Sequence, residues 1–216
     1  NSSLINSNKI SFLNSNITVI NKEELESFVI KFENSYTKEE LREIWGTSAK
    51  ATFAILKDGL IEGAFWFKSG SAFNWVIPKS SISLVEKKVK QGAFKDIDNP
   101  TSLNEAVEWI GPDKAHLLTR NILKGSIKFA YNSNKFSDLV LDKRDVYFQI
   151  REEIFRSSQE SEVISFRDLS FLLGIKKSDI QHWIKSGRFG EFDHEGTNAI
   201  PFQNFMDFHE RFITTL

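Results

Sequence analysis

The sequence has no cysteine, a single methionine and only four prolines in 216 residues. Without cysteine there is no disulfide staple, no thiolate zinc site, no iron–sulfur cluster and no thiol nucleophile. No apolar run approaches the roughly 20 residues that a bilayer-spanning helix needs, and no basic segment leads into an apolar one near Asn1. Neither sign of charge is in excess, since 28 Lys and Arg face 29 Asp and Glu, for a net charge of -1. Nucleic-acid binders often carry a basic surplus, so any such contact here has to be local. Catalytic signatures are missing as well: there is no Walker loop, no Gly-x-Gly-x-x-Gly, no Gly-x-Ser-x-Gly and no His-Glu-x-x-His. His116, His182, His194 and His209 lack metal-ligand spacing, and Asp96 and Asp98 stand beside Pro100 in a linker-like stretch. These absences argue against an enzyme, a metal, a cofactor, a small-molecule substrate and a membrane partner, and they fit a cytoplasmic location. Because it opens at Asn1 rather than methionine, we read the chain as part of a longer one.

What is present is core-forming material, 40% apolar residues with 20 phenylalanines, arranged in a diverged repeat. Gly46, Gly111 and Gly174 anchor it. Nine residues before each lies Ser/Thr-x-x-Glu/Asp: Thr37 and Glu40, Ser102 and Glu105, Ser165 and Asp168. A hydroxyl that accepts the N3 amide, with a carboxylate reaching back, marks a helix start. Leu41, Ile44 and Trp45, then Ala106, Trp109 and Ile110, then Leu169, Leu172 and Leu173 give three short amphipathic helices, each ended by a glycine suited to a left-handed turn. A second helix-length segment follows each glycine and ends at Gly59, Gly125 and Gly187. Helix–glycine–helix is the layout of a helix-turn-helix.

Strand-like stretches come next, at 64–67 and 74–77 around Ser69-Gly70-Ser71, at 127–131 and 139–141 around Asn132-Ser133-Asn134, and at 189–192 and 199–200 around 194–197. Each reads as a hairpin, or wing. A closing helix ends the unit, with apolar side chains at +5, +8 and +12 from the last strand residue: Ile82, Val85 and Val89; Phe205, Phe208 and Phe212. In the second repeat Val146 fits, and Phe148, Ile150 and Ile154 carry the face. Leu25, Phe28 and Phe32 stand at the same offsets from Ile20, behind a hairpin expected at 10–13 and 17–20. The expected division is a frayed or extraneous 1–9, the back half of a repeat at 10–34, and winged units at 37–91, 101–156 and 164–216, with linkers at 92–100 and 157–162. The fold class is α+β, mainly helical with small hairpin wings.

The third repeat, from Ile164-Ser165-Phe166-Arg167-Asp168-Leu169 through Ile180-Gln181-His182-Trp183-Ile184-Lys185-Ser186-Gly187-Arg188 to Ala199-Ile200-Pro201, resembles the winged helix-turn-helix of MerR- and excisionase-type DNA binders. Tandem copies of this kind over 10–216 look like the C-terminal arrays of TniQ-type proteins, whose N-terminal cysteine/histidine zinc motifs are absent here. The resemblance implies choice of a DNA site for a transposon or other mobile element, with double-stranded DNA as partner and transposase or other transposition proteins recruited. Two readings stay open beside it: a protein-interaction scaffold within a larger nucleoprotein complex, and a phage or plasmid transcriptional regulator.

Lys and Arg near phosphates supply affinity, and side chains on a groove-inserted helix read base edges. In the third repeat the candidates are Lys176, Lys177, Ser178, Gln181, His182, Lys185 and Arg188; in the second, Lys114, His116, Arg120, Asn121 and Lys124; in the first, Lys50, Thr52 and Lys57. Lys68 and Lys135 are the wing candidates, whereas the third wing, with Glu191, Asp193 and Glu195, is acidic. Residues 37–100 hold ten basic and eight acidic residues, 101–160 nine and nine, and 161–216 six and eight, a balance that suits weak, salt-sensitive contact or protein binding. Trp45, Trp109 and Trp183 fall on core offsets, while Trp66 and Trp75 either pair across the first hairpin or present a patch to a partner.

Overall fold

The structure is a computed structural model describing residues 7–12, 15–69, 71–94, 96–131, 135–193 and 196–213. Gly70, Asn132, Ser133, Asn134, His194 and Glu195, which the sequence assigns to turns, and the first six residues lie outside this set.

A hairpin, β1 (Ser7–Phe12) and β2 (Ser15–Ile20), leads to α1 (Lys22–Glu33). The first complete unit is β3 (Ser35–Tyr36), α2 (Lys38–Trp45), α3 (Ala49–Lys57), β4 (Phe65–Ser69), β5 (Ala72–Pro78) and α4 (Lys79–Gly92). The second is β6 (Pro100–Ser102), α5 (Leu103–Ile110), α6 (Ala115–Lys124), β7 (Phe129–Tyr131), β8 (Leu139–Asp142) and α7 (Lys143–Ser161), with single 3-10 turns at Pro112–Lys114 and Phe136–Asp138. The third is β9 (Val163–Ser165), α8 (Phe166–Leu173), α9 (Lys177–Lys185), β10 (Ala199–Pro201) and α10 (Phe202–Phe212). The mixed helix-and-strand class is the expected one.

The caps explain where the first helix of each unit starts. Thr37 Oγ1 accepts the Glu40 amide at 3.2 Å while Glu40 accepts the Thr37 amide at 2.7 Å, and Ser102 and Glu105 repeat this at 3.2 and 2.8 Å. In the third unit Ser165 Oγ accepts the Asp168 amide at 3.1 Å, but the shorter aspartate takes the Ser165 hydroxyl at 2.7 Å. Gly46 and Gly174 end α2 and α8 in the left-handed conformation, at φ 68° and 65°. Gly111 departs from the expected left-handed turn: it stands at φ 103°, ψ 136°, because Pro112 forces its predecessor out of helical ψ.

One element was not foreseen. A two- or three-residue strand precedes each first helix and pairs antiparallel with the strand that enters the closing helix: Tyr36 opposite Ile77, Thr101 opposite Leu141, Ile164 opposite Ile200. The first amide of each closing helix then donates to the residue before that short strand, Lys79 to Asn34 at 3.0 Å, Lys143 to Asn99 at 2.8 Å and Phe202 to Glu162 at 2.9 Å. Orphan amides at a helix N-terminus need such partners, and the same bond occurs three times.

Several further expectations are corrected, among them that of a frayed start, since Ser7, Asn8 and Lys9 lie in β1. Residues 189–192 form turns and a bend rather than a strand. Gly187 and Gly190, both at positive φ, curl the chain so that Phe189 enters the core against Phe208, 4.5 Å between rings. Residues 157–161 continue α7, and only Glu162, at φ 60°, separates it from β9, so no linker of six residues exists there; Pro100 likewise begins β6. On α7 the buried face is Val146, Ile150 and Ile154, while Phe148 is exposed, because 148 lies off the i, i+4, i+8 stripe. Ile82, Val85, Val89, Phe205 and Phe208 are buried as their spacing requires, and Phe212 is exposed. On α1, by contrast, nothing is buried, and Leu25, Val29, Ile30 and Phe32 are exposed.

The complete units share one core running from Leu41 to Phe208, but their two junctions differ. Between the first and second, Trp45 stacks on Phe136 at 4.7 Å and α3 packs along α6. A Cβ on Gly46 would collide with Ser137, so that glycine serves both the turn and the close approach of two units. Between the second and third, α5 meets α8, with Trp109 packed on Phe171 at 4.6 Å and the Tyr147 hydroxyl donating to Leu172 O at 3.1 Å.

Candidate nucleic-acid interface

The second helix of the third unit, α9, is built to bury one side. Ile180 and Ile184 are buried, and the half-buried Trp183 packs on Phe208 at 5.5 Å. That fixes the opposite stripe, Ser178, Gln181, His182 and Lys185, spaced i, i+3, i+4, i+7, and all four are exposed. Lys176 and Lys177 stand exposed at its N-terminus and Arg188 just beyond its C-terminus. Lys177 Nζ reaches Asn198 at 3.3 Å, and the Arg188 guanidinium lies over Trp183 at 4.9 Å with its outer face open. The one acid on the helix, Asp179, accepts the Lys176 amide at 3.3 Å and faces the Ser178 hydroxyl at 3.5 Å, which ties it to the first turn. Cations at both ends of a polar stripe can meet phosphates while Gln181 and His182 face bases.

The corresponding helices of the other two units are arranged differently, because α3 and α6 cover one another. Thr52 is fully buried, its hydroxyl 2.8 Å from that of Thr47 and donating to Ser48 O at 3.1 Å. Asn121 is buried and donates to Leu117 O at 2.9 Å. Arg120 holds both oxygens of Asp58, the residue that ends α3, at 2.6 and 2.8 Å across the junction. Lys114 pairs with Asp168 of the third unit at 2.8 Å, and Asp113 beside it is 3.5 Å from Arg167. Expected as groove or phosphate contacts, Thr52, Asn121, Arg120 and Lys114 are interior or junction residues instead. Inter-unit packing selects these faces, and intra-repeat spacing cannot announce it.

Lys50 and Lys57 remain exposed on α3, and between them the exposed Phe53 completes an i, i+3, i+7 stripe that charge-based reading missed. On α6 only Lys124, at the C-terminus, is exposed; the half-buried His116 has Nδ1 3.0 Å from Asp113 O. Lys68 projects from β4 over the Phe73 ring at 5.9 Å. Lys135 is exposed beside Gly46, at the first junction. Four of the seven third-unit candidates therefore share one stripe, with the other three exposed at its ends, whereas the ten from the first two units are dispersed.

Among the described residues no cluster of three or more His, Cys, Asp or Glu is placed to hold a metal ion, and no helix is long and apolar enough to cross a membrane. Comparison of the chain with protein families, with characterised proteins and with solved structures returns no match.

Proposed function

We propose that the chain binds duplex DNA, led by α9, whose Ser178, Gln181, His182 and Lys185 stripe enters a major groove while Lys176, Lys177 and Arg188 meet flanking phosphates. The observation that carries this reading is the exposure of that whole stripe, with a cation at either end and its single acid tied into the cap. Lys50 and Lys57 on α3, with Lys124 on α6, extend the contact as weaker, sequence-independent neighbours. Selection of a target site for a mobile element, with recruitment of transposition proteins, is the role that the TniQ resemblance adds.

The test is fluorescence anisotropy with candidate-locus and scrambled duplexes at low and near-physiological salt, for the wild type and for Lys176→Glu/Lys177→Glu/Arg188→Glu. Binding should weaken steeply with salt, with a log–log slope near -0.9 per phosphate contacted, and should fail in the triple variant. A folded wild type that binds no duplex even at low salt would sink the proposal.

A protein scaffold is the second reading, favoured by one specific observation. Two of the three second helices, α3 and α6, pack on each other, which takes the facing sides of both away from a DNA groove.

A further inference from the structure

We propose that the hairpin of the first unit is a stacking site for unpaired nucleic-acid bases, separate from the duplex surface on α9. In the β4–β5 ladder Trp66 stands opposite Trp75 and Lys68 opposite Phe73. Directly opposed residues, and residues two apart on one strand, share a face, so these four side chains form one surface. Trp75 is half-buried and packs on the core, anchoring that surface to the body of the protein. Trp66 and Phe73 are not covered: 55% and 61% of their surface is open, with ring centroids 5.3 Å apart and planes inclined at 59°. Phe65 and Phe67, on the opposite face, are half-buried and neighbour the buried Val76. The Trp66/Trp75 face thus packs on the core at Trp75 and leaves two rings, Trp66 and Phe73, open to solvent beyond it.

Charge decides the occupant. Residues 63–85 contain no aspartate or glutamate and two lysines, Lys68 and Lys79, although the whole chain is slightly acidic. The matching segment of the third unit carries Glu191, Asp193 and Glu195 and no lysine. Lys68 Nζ sits over the Phe73 ring, 5.9 Å from its centroid, with the exposed Trp66 ring beside it. Exposed rings with an ammonium over one of them, on a hairpin that itself carries no acidic residue, suit a base lying on a ring while its phosphate meets the lysine, as on single-strand binding surfaces. In a duplex the base faces are already stacked on one another, so the ligand class is single-stranded DNA or RNA, or a frayed or flipped base. An apolar protein partner would match the rings and leave the lysine and the missing acids without a role.

The experiment uses the whole chain with a fluorescein-labelled 15-mer of deoxythymidine, read by anisotropy and by tryptophan emission, for the wild type, Trp66→Ala, Trp66→Ala/Phe73→Ala and Lys68→Glu. Trp66→Ala should weaken binding by roughly tenfold, within the range for loss of one base–aromatic stack, and the double variant further. Lys68→Glu should weaken binding and flatten its salt dependence, and the emission quench on binding should disappear with Trp66. Lys176→Glu/Lys177→Glu should leave single-strand binding within about twofold, and the double aromatic variant should leave duplex binding equally unchanged, which keeps this proposal separable from the preceding one. The exposed side chains can be truncated without opening the core, and Lys68→Glu tests the site with both rings in place. Absence of single-strand binding in the wild type, or equal binding by the double variant, overturns the proposal. So does a wild-type dimer in sedimentation that the double variant converts to monomer, which would make this face a protein interface.

Discussion

At the scale of single residues, the helix starts rest on hydroxyl–carboxylate pairs that can be titrated. The Glu40 carboxyl is held below the ordinary glutamate range first by the Thr37 backbone amide and then by the Thr37 hydroxyl, and Ser102 does the same for Glu105. A carboxyl lowered in the folded state contributes stability that is fully present above the ordinary glutamate range and is lost as pH falls through the lowered value. Thr37→Ala should therefore destabilise the protein by about 1 kcal/mol at neutral pH. Because the substitution keeps the backbone amide that lowers Glu40 most, the difference from wild type should shrink only modestly in acid, and the Glu40 carboxyl should rise only part of the way to its ordinary value in a carbon-detected NMR titration. Ser102→Ala should act in the same direction on Glu105. The Arg120–Asp58 pair gives a second measurement at this scale, since it joins two units with 30% and 18% of the side chains exposed. A double-mutant cycle over Arg120→Ala and Asp58→Ala should give a coupling of about 1 to 2 kcal/mol, the value of a charged hydrogen-bonded pair reduced for its partial solvent contact. If Arg120 were a phosphate contact instead, Arg120→Ala would reduce DNA affinity with little change in unfolding midpoint.

At the scale of elements, the sequence made helix starts and stripes legible because both are local. Thr37, Ser102 and Ser165 announce α2, α5 and α8 by chemistry confined to four residues, and Ile82, Val85 and Val89 announce the buried face of α4 by period alone. The short strands β3, β6 and β9 were not legible, being two or three residues long with partners about 40 residues away. The stretch expected to be a third wing misled for a related reason. Phe189 and Phe192 look like strand residues, yet Gly187 turns the chain before them and Gly190 between them. The α9 stripe was legible as a set of polar residues, and the structure adds that they share one face. That permits a division of labour: if α9 enters a groove, Gln181→Ala and His182→Ala should narrow the affinity gap between matched and scrambled duplex by roughly 1–3 kcal/mol. Lys176→Ala and Lys177→Ala should weaken both duplexes alike and lower the salt slope by about 1 each. Both effects are read from the same anisotropy series.

At the scale of the whole molecule, what sequence periodicity assigned to separate cores belongs to junctions. Trp45 and Trp109 occupy core offsets of their own helices, as expected, but their closest aromatic neighbours, Phe136 and Phe171, belong to the following unit. A repeat pattern tells which side of a helix is apolar and is silent on whether its own unit or the next one covers that side. Because the two junctions use different helices, the array does not stack like a regular solenoid. The first junction occupies α3 and α6, while α9 lies outside both and stays open along its polar stripe. The second junction rests on Trp109 packed against Phe171 and Tyr147, with Lys143 Nζ 5.4 Å from the Trp109 ring and Lys114 paired to Asp168. With one continuous core the complete units should unfold together. Trp109→Ala should remove roughly 2 kcal/mol, less than truncation of a fully buried tryptophan because Trp109 is half-buried. The loss should fall on the junction rather than on either unit's interior. Native-state hydrogen exchange should then show the amides of α8, α9 and α10 opening at lower free energy than those of α2 and α4, where the wild type shows one common opening. If exchange instead rises uniformly along the chain, the junction is not a separable hinge, and α9 is held by the whole core.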